Sequence, residues 1–264
     1  MTTLQTVFAK AKADDRAALI GYLPAGFPTK DGAVAAATAM VEAGCDVIEI
    51  GLPYSDPLMD GPTIQDAVHR SLTNGTRIAD VLRTVEGVAR TGAATLVMTY
   101  WNPIDRYGTD RFARDLANAG GVGTITPDLT PEESGPWRAA SAEAGIDTVF
   151  LVAPSSPETR IKAVAACCTG FVYAASLMGV TGARDSVGEA AQGLVERTRP
   201  HTGLPVCVGL GVGTGRQAAE VARYADGVIV GSAFIRRLLD APDEASGLAS
   251  VRELGAELAA GVRG

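Results

Sequence analysis

The chain has 264 residues, a formal net charge of -7 and a hydrophobic fraction of 47%. The acidic balance argues against general nucleic-acid binding, which needs a basic surface, and no stretch of about 18 apolar residues is present that could span a bilayer. Four cysteines without a C-x-x-C pair argue against a disulfide framework or a zinc site, and with no apolar signal segment at the start they predict a cytoplasmic protein.

The first predicted element is a short amphipathic helix over 2–13, with Leu4, Val7, Phe8 and Ala11 on one face. Eight short runs rich in valine, isoleucine and leucine then recur along the chain, as expected of strands buried on both faces of a sheet. These runs are 18–23, 46–51, 95–100, 121–126, 147–152, 170–175, 205–210 and 227–232. Helical spacing follows them at 33–43, 77–90, 109–118, 132–144, 157–166, 188–198, 215–224 and 243–264.

Eight strands that alternate with helices imply a parallel sheet. At this length we predict closure into a (β/α)8 TIM barrel with an extra N-terminal helix, as a single domain over 1–264; an open doubly wound sheet is the alternative. Active sites of such barrels lie at the carboxyl ends of the strands. The candidates at those ends are Tyr22, Glu49, Tyr100, Asp128, Tyr173, the glycines after 208, and Gly231 with Ser232.

Glu49 interrupts an otherwise apolar strand. A buried carboxylate is costly unless it is paired or used, and burial raises its pKa into the range of acid/base catalysis. The alternative is a solvent-facing strand end that pairs with an arginine. The loop that follows, 53–62, contains three prolines and carries Asp56 and Asp60, which are candidate functional acids or ordinary turn caps.

The glycine-rich segment GLGVGTG, 209–215, follows the seventh predicted strand. Its spacing is not that of a dinucleotide-binding loop, and the chain has no Walker A sequence. Glycines let the backbone approach a ligand, and Gly231 and Ser232 follow the eighth strand in the same way. Loops after strands seven and eight are the usual phosphate site of these barrels, so we predict phosphate binding here, with tight turns as the alternative.

Two residue types are informative by their placement. The only histidines, His69 and His201, fall outside the strand ends, and no lysine lies in a predicted strand. This disfavours both a metal-dependent aldolase and a Schiff-base aldolase. If the barrel cleaves a carbon–carbon bond, we expect carboxylate acid/base catalysis without a metal.

Seven segments together resemble the α subunits of tryptophan synthase over essentially the whole chain. The segments are GYLPAGFP (21–28), IEIGLPYSDPLMDGPTIQDA (48–67), MTYWNP (98–103), PDLTPEE (127–133), YAASLMGVTGAR (173–184), VGLGVGTG (208–215) and IVGSAF (229–234). The segment 48–67 is the most specific, because its strand-end glutamate, SDP and DGP recur together in that family.

The resemblance implies a lyase that cleaves indole-3-glycerol phosphate to indole and glyceraldehyde 3-phosphate, with no cofactor in this chain. Glu49 would then be the general acid/base, and Asp60 the carboxylate near the indole nitrogen. Further substrate contacts are implied at Tyr22, Ile64, Met98, Tyr100, Ile125, Leu151, Tyr173, Thr181 and Leu210. Phosphate contacts are implied at Gly182, Gly211, Gly231 and Ser232. The sequence departs from the common family pattern at Tyr22, Leu177 and Leu210.

The resemblance also implies a partner, the tryptophan synthase β subunit, which carries pyridoxal phosphate and receives indole through a tunnel in an αββα complex. Pro53, Asp56 and Asn102 are the expected contact positions. Two alternatives remain open. One is a stand-alone indole-3-glycerol-phosphate lyase, and the other is a non-catalytic barrel, which would usually have lost Glu49 or Asp60.

Overall fold

The computed structural model describes residues 2–176, 184–209 and 211–264. Within these ranges nine strands form one parallel sheet in the order β5-β4-β3-β2-β1-β9-β8-β7-β6. The strands are β1 (Ala18–Pro24), β2 (Val47–Gly51), β3 (Ala94–Met98), β4 (Gly123–Ile125), β5 (Asp147–Val149), β6 (Leu151–Val152), β7 (Val172–Ala175), β8 (Val206–Gly209) and β9 (Gly227–Val230).

Helices alternate with the strands and surround them. They are α1 (Thr3–Ala13), α2 (Lys30–Glu42), α3 (Pro62–Thr73), α4 (Ile78–Ala89), α5 (Trp101–Tyr107), α6 (Thr109–Asn118), α7 (Gly135–Ala144), α8 (Glu158–Ala165), α9 (Arg184–Thr198), α10 (Gly215–Ala222), α11 (Ser232–Leu239) and α12 (Glu244–Gly261). No described helix is both long and apolar enough to cross a membrane. The predicted TIM-barrel architecture with an additional N-terminal helix is confirmed.

The fifth predicted strand, 147–152, is interrupted at one residue. Its first half, β5, pairs with β4, and its second half, β6, pairs with β7. Phe150 lies between them, and its N–H donates to Cys168 Sγ at 3.3 Å while its carbonyl accepts the N–H of Tyr173 at 3.1 Å. The ring of strands therefore closes through a single segment of chain whose two halves serve different neighbours.

Inward-facing side chains of alternate strand positions fill the barrel interior. The helix α1 adds Leu4, Phe8 and Ala11 to this apolar cluster, and the ring of Phe8 meets that of Phe171 edge-on with centroids 5.7 Å apart. Thr2 and Gln5 form a reciprocal capping box that starts α1. The helix α1 therefore packs over the amino ends of the strands and closes that end of the barrel.

The outward-facing strand residues pack against the helices in a second apolar layer that includes Leu23, Ile48, Ile50 and Phe234. The chain after β3 differs from the prediction, because the strand ends at Met98 and Tyr100 is the N-cap of the helix α5. The loops and helix starts at the carboxyl ends of the strands form the walls of a cavity.

Candidate active site

A cavity of about 360 Å³ lies at the carboxyl ends of the strands. Ten of the predicted site residues line it together: Tyr22, Glu49, Asp60, Ile64, Met98, Leu151, Tyr173, Gly211, Gly231 and Ser232. Its walls combine apolar side chains with a few polar groups, as in sites that bind a flat aromatic ligand. The strand ends therefore converge on one site, as the barrel prediction requires.

Glu49 lies on β2 and is fully buried. It is inward-facing, because it alternates with Ile48 and Ile50, which pack on the helix side. Neither carboxylate oxygen has a hydrogen-bond partner among the described residues. Loss of hydration through burial raises the pKa of Glu49 to about 8. The paired, solvent-facing alternative is wrong, and Glu49 is held ready to carry a proton near neutral pH.

Two tyrosines lie beside this carboxyl group. Tyr22 is the register partner of Glu49 on β1, and Tyr173 reaches the cavity from β7. Burial, with the nearby carboxyl groups, raises the pKa of Tyr22 well above its ordinary value, and burial and Glu49 do the same for the pKa of Tyr173. Both hydroxyl groups therefore remain neutral and polar beside Glu49.

Two glycines make room for these rings. A Cβ at Gly51 would lie 2.4 Å from the Tyr22 hydroxyl oxygen, and one at Gly209 would lie 2.3 Å from that of Tyr173. No side chain larger than hydrogen fits at either place without displacing a tyrosine. The first glycine of the GLGVGTG segment thus serves packing within the site.

Asp60 is held at the cavity rim by its neighbours in the loop. The hydroxyl oxygen of Tyr100 accepts the N–H groups of Leu58 and Met59, both at 3.0 Å. Those two bonds use the oxygen's acceptor capacity and leave its hydrogen free to donate. Burial raises the pKa of Asp60, and the Tyr100 hydroxyl opposes that rise. Tyr100 therefore organises the loop from behind and does not line the cavity itself.

The start of α11 has the properties of an anion site. Gly231 precedes the helix and Ser232 begins it, and both face the cavity. The first N–H groups of a helix have no partner within the helix and carry its positive dipole end. Gly211, with φ of 79°, faces the same part of the cavity.

The neighbouring helix α10 is less suitable. Thr214 Oγ1 accepts the N–H of Gln217 at 3.3 Å, and Glu257 accepts the N–H of Gly215 at 2.7 Å. Gly215 also packs directly on α12, because a Cβ there would lie 2.6 Å from the Glu257 carbonyl oxygen. Gly215 therefore has a structural role. Within the segment 209–215, Gly211 remains the candidate for phosphate binding, together with the start of α11.

The remaining predicted residues lie elsewhere. Ile125 is buried in the barrel core below the cavity. Asp56 and Asn102 are exposed, whereas Pro53 is buried within the chain. Thr181, Gly182, Leu177 and Leu210 lie outside the described residues. No group of three side chains that could hold a metal ion occurs in the described parts of the chain.

Among the lining residues that the sequence analysis did not name, Arg236 is the one with a charged side chain in the described lining. It lies on α11 and donates from Nη2 to Thr63 Oγ1 at 2.9 Å. Its helix was interpreted only through Gly231 and Ser232. The available signal was its position four residues after Ser232, which places both on the same helical face.

Comparison with known proteins agrees with this geometry. A family model described as "Tryptophan synthase alpha chain" matches residues 8–263. The tryptophan synthase alpha chain of Thermobifida fusca is 61% identical over 266 residues, covering 100% of this chain and 98% of that protein. The one from Streptomyces avermitilis is 61% identical, covering 99% and 95%.

Solved structures agree as well. The structure of Mycobacterium tuberculosis tryptophan synthase matches with a TM-score of 0.92 at 55% identity, covering 99% of this chain and 98% of that chain. Tryptophan synthase subunit alpha from Legionella pneumophila matches with a TM-score of 0.90 at 32% identity, covering 99% and 98%. The similarity in sequence and in fold extends over the full length.

Proposed function

The chain belongs to the tryptophan synthase alpha chain family, and from this premise we propose which of its residues carry out the family's reaction. The chain is a lyase of tryptophan biosynthesis that catalyses cleavage of indole-3-glycerol phosphate. Indole is a poor leaving group as a carbanion. Cleavage therefore needs a proton donor at C3 of the ring, a base for the glycerol hydroxyl, and a negative charge near the ring nitrogen.

Glu49 supplies the first two roles. Its raised pKa keeps it protonated near neutral pH, so it donates its proton to C3 of the indole ring. The ring becomes a cationic indolenine, and Glu49 becomes a carboxylate that accepts the proton of the glycerol hydroxyl beside the bond to be broken. That bond then breaks, its electron pair returns to the ring to give neutral indole, and the hydroxyl carbon becomes the aldehyde of glyceraldehyde 3-phosphate.

Asp60 supplies the third role. It faces the cavity together with Glu49 and is positioned by a loop that Tyr100 organises. As a carboxylate it stabilises the positive charge that develops at the ring nitrogen. Apolar contact with the ring comes from Ile64, Met98 and Leu151, while Tyr22 and Tyr173 add polar edges.

The phosphate group is bound at the other end of the cavity. Gly211, Gly231 and Ser232 offer backbone N–H groups there, and Ser232 adds a hydroxyl. Anchoring at the phosphate orients the glycerol chain, so that its reacting bond lies between the two carboxyl groups. Thr181 and Gly182 are further proposed contacts from the loop after β7.

The observation that carries this proposal is the buried carboxyl group of Glu49, which faces the cavity and has no hydrogen-bond partner among the described residues. The test is indole release from indole-3-glycerol phosphate by Glu49→Gln and Asp60→Asn chains, with binding of substrate measured separately. Loss of cleavage with retained binding supports the assignment. Substantial cleavage by Glu49→Gln would overturn it.

The proposed partner is the tryptophan synthase β subunit with its pyridoxal phosphate, in a cytoplasmic αββα complex of which this chain forms one single-domain subunit. The side chains of Leu58 and Met59, 76% and 40% exposed, support a docking surface at the 53–62 loop. They are adjacent, they are the only large apolar side chains exposed among the described residues, and contiguous exposed apolar groups mark interaction sites. Asp56 and Asn102 are exposed and could contact the partner directly, whereas Pro53 is buried at the start of the same loop.

The assembly is tested by measuring indole release with and without added β subunit. Slow release that rises many-fold with the partner supports the complex. Rapid release by this chain alone, with no effect of the partner, would favour the stand-alone lyase.

A further inference from the structure

Arg236 links the start of α11 to the start of α3 at the cavity. It is one helical turn after Ser232 on α11, so its side chain shares the face of the helix that begins the phosphate end. It lines the cavity together with Asp60 and Thr63, which belong to the 53–62 loop and to the start of α3.

Charge gives this position significance. The lining contains two carboxyl groups, Glu49 and Asp60, and a phosphate monoester would add further negative charge. Arg236 is the only arginine, lysine or histidine in the described lining. Its side chain makes no salt bridge to the described residues and hydrogen-bonds only to Thr63. A cation without an acidic partner, beside an anion site, can balance the charge of the ligand.

The contact with Thr63 ties Arg236 to the loop that carries Asp60. Thr63 is the second residue of α3, three positions after Asp60, and its hydroxyl accepts from Arg236 Nη2 at 2.9 Å. A guanidinium group has five N–H donors, so this bond leaves others for phosphate oxygens. One side chain can therefore hold the ligand and the start of α3 together.

We propose that Arg236 is a substrate-binding and positioning residue, which binds the substrate's phosphate and, through Thr63, fixes the start of α3 so that Asp60 is placed correctly when phosphate is bound. The inference rests on the proposed phosphate site at Gly231 and Ser232. It makes Arg236 a determinant of specificity for the phosphorylated substrate, since a ligand without phosphate gains nothing from the charge.

The experiment measures cleavage of indole-3-glycerol phosphate and its inhibition by two probes, inorganic phosphate and indole. In Arg236→Gln we expect inhibition by phosphate to weaken by about tenfold or more, because a hydrogen-bonded charge is lost, while inhibition by indole is unchanged. KM for the substrate rises in parallel. Arg236→Lys, which restores the charge, recovers most of the phosphate affinity.

Two further variants separate binding from positioning. Thr63→Val removes the acceptor with little change of shape, so we expect kcat to fall by about fivefold with inhibition by phosphate retained. Arg237→Gln is the matched control, because Arg237 is the adjacent arginine of α11 and its side chain lies instead near Ser250 Oγ at 3.4 Å. Neither kcat nor phosphate inhibition should change in Arg237→Gln.

The outcomes distinguish this inference from the site on which it rests. If inorganic phosphate does not compete with substrate in the unaltered chain, the proposed phosphate site fails and the inference fails with it. If phosphate competes and Arg236→Gln leaves its inhibition unchanged, only the role of Arg236 is overturned. Equal losses for phosphate and indole inhibition would indicate a purely structural contact and would also overturn the inference.

Discussion

Tyr22 and Glu49 are register partners on adjacent parallel strands, and both side chains face the inside of the same buried cavity. The pairing sets a neutral hydroxyl beside a carboxyl group whose pKa is raised to about 8. No positive charge from the described residues lies beside Glu49 to hold it ionised. The site therefore keeps a proton on Glu49 through its apolar surroundings.

Replacing the carboxyl group of Glu49 by an amide should abolish catalysis, and it should also remove a loss of stability at alkaline pH. Glu49→Gln is expected to lower kcat by about a thousandfold or more.

The same carboxyl group should make the stability of the fold depend on pH. Because the pKa of Glu49 is raised in the folded state, the carboxyl group of the unfolded chain ionises first as pH increases. The unaltered chain then loses stability between pH 4.5 and about 8, on the order of 4 kcal/mol in total. Urea unfolding at pH 5 and pH 9 measures this, and an equal pH dependence in Glu49→Gln would contradict it.

The pH dependence of cleavage should reveal the same proton. We expect kcat/KM to fall as pH rises through about 8, because the protonated form of Glu49 is lost. Tyr22→Phe is the control. The pKa of Tyr22 is raised well above its ordinary value, so the Tyr22 hydroxyl does not titrate near pH 8. An alkaline limb that disappears in Tyr22→Phe would assign the proton to the tyrosine instead.

Tyr100 should act on catalysis through the loop. Tyr100→Phe leaves the N–H groups of Leu58 and Met59 without their acceptor, so we expect kcat to fall by about tenfold with inhibition by inorganic phosphate unchanged. Tyr54→Phe is the matched control. The ring centroids of Tyr54 and Tyr100 lie 5.5 Å apart, and among the described residues the Tyr54 hydroxyl accepts a hydrogen bond from Asn102 and from no loop N–H group. Steady-state kinetics of the isolated chain distinguishes the two, and equal effects would contradict the role of Tyr100.

Gly209 should tolerate no side chain. In Gly209→Ala the new methyl group meets the Tyr173 hydroxyl at 2.3 Å, which displaces the ring into the cavity. We expect KM for substrate to rise by about tenfold or more. Gly213→Ala is the control, because its nearest contact would be 3.8 Å away. A change of similar size in both variants would indicate that the segment, and not the tyrosine, is affected.

Much of this architecture could be predicted because its causes are local. Apolar runs and helical spacing predict strands and helices without reference to distant residues, and an acid within an apolar strand such as Glu49 is visible in the sequence alone. The interruption at Phe150 could not be predicted, since 149–152 is continuously apolar on both sides of it and the break depends on contacts with Cys168 and with two different neighbouring strands.

Other features depend on residues far apart in the chain. Arg236 meets Thr63 across 173 positions, and Gly215 meets Gly261 where α10 and α12 touch. Only the packed structure brings such pairs together, so neither contact can be seen in the sequence. The predicted contact positions around Thr181, Gly182 and Leu210 stay predictions.

The helix α1 closes one end of the barrel, because Leu4, Phe8 and Ala11 fill the interior at the amino ends of the strands. Substrate and both products therefore enter and leave through the opening of the cavity at the carboxyl ends of the strands. Because indole and glyceraldehyde 3-phosphate leave through the same opening, the order in which they are released affects the turnover rate. A protein bound across that opening would control both substrate entry and product release without contacting the reacting atoms.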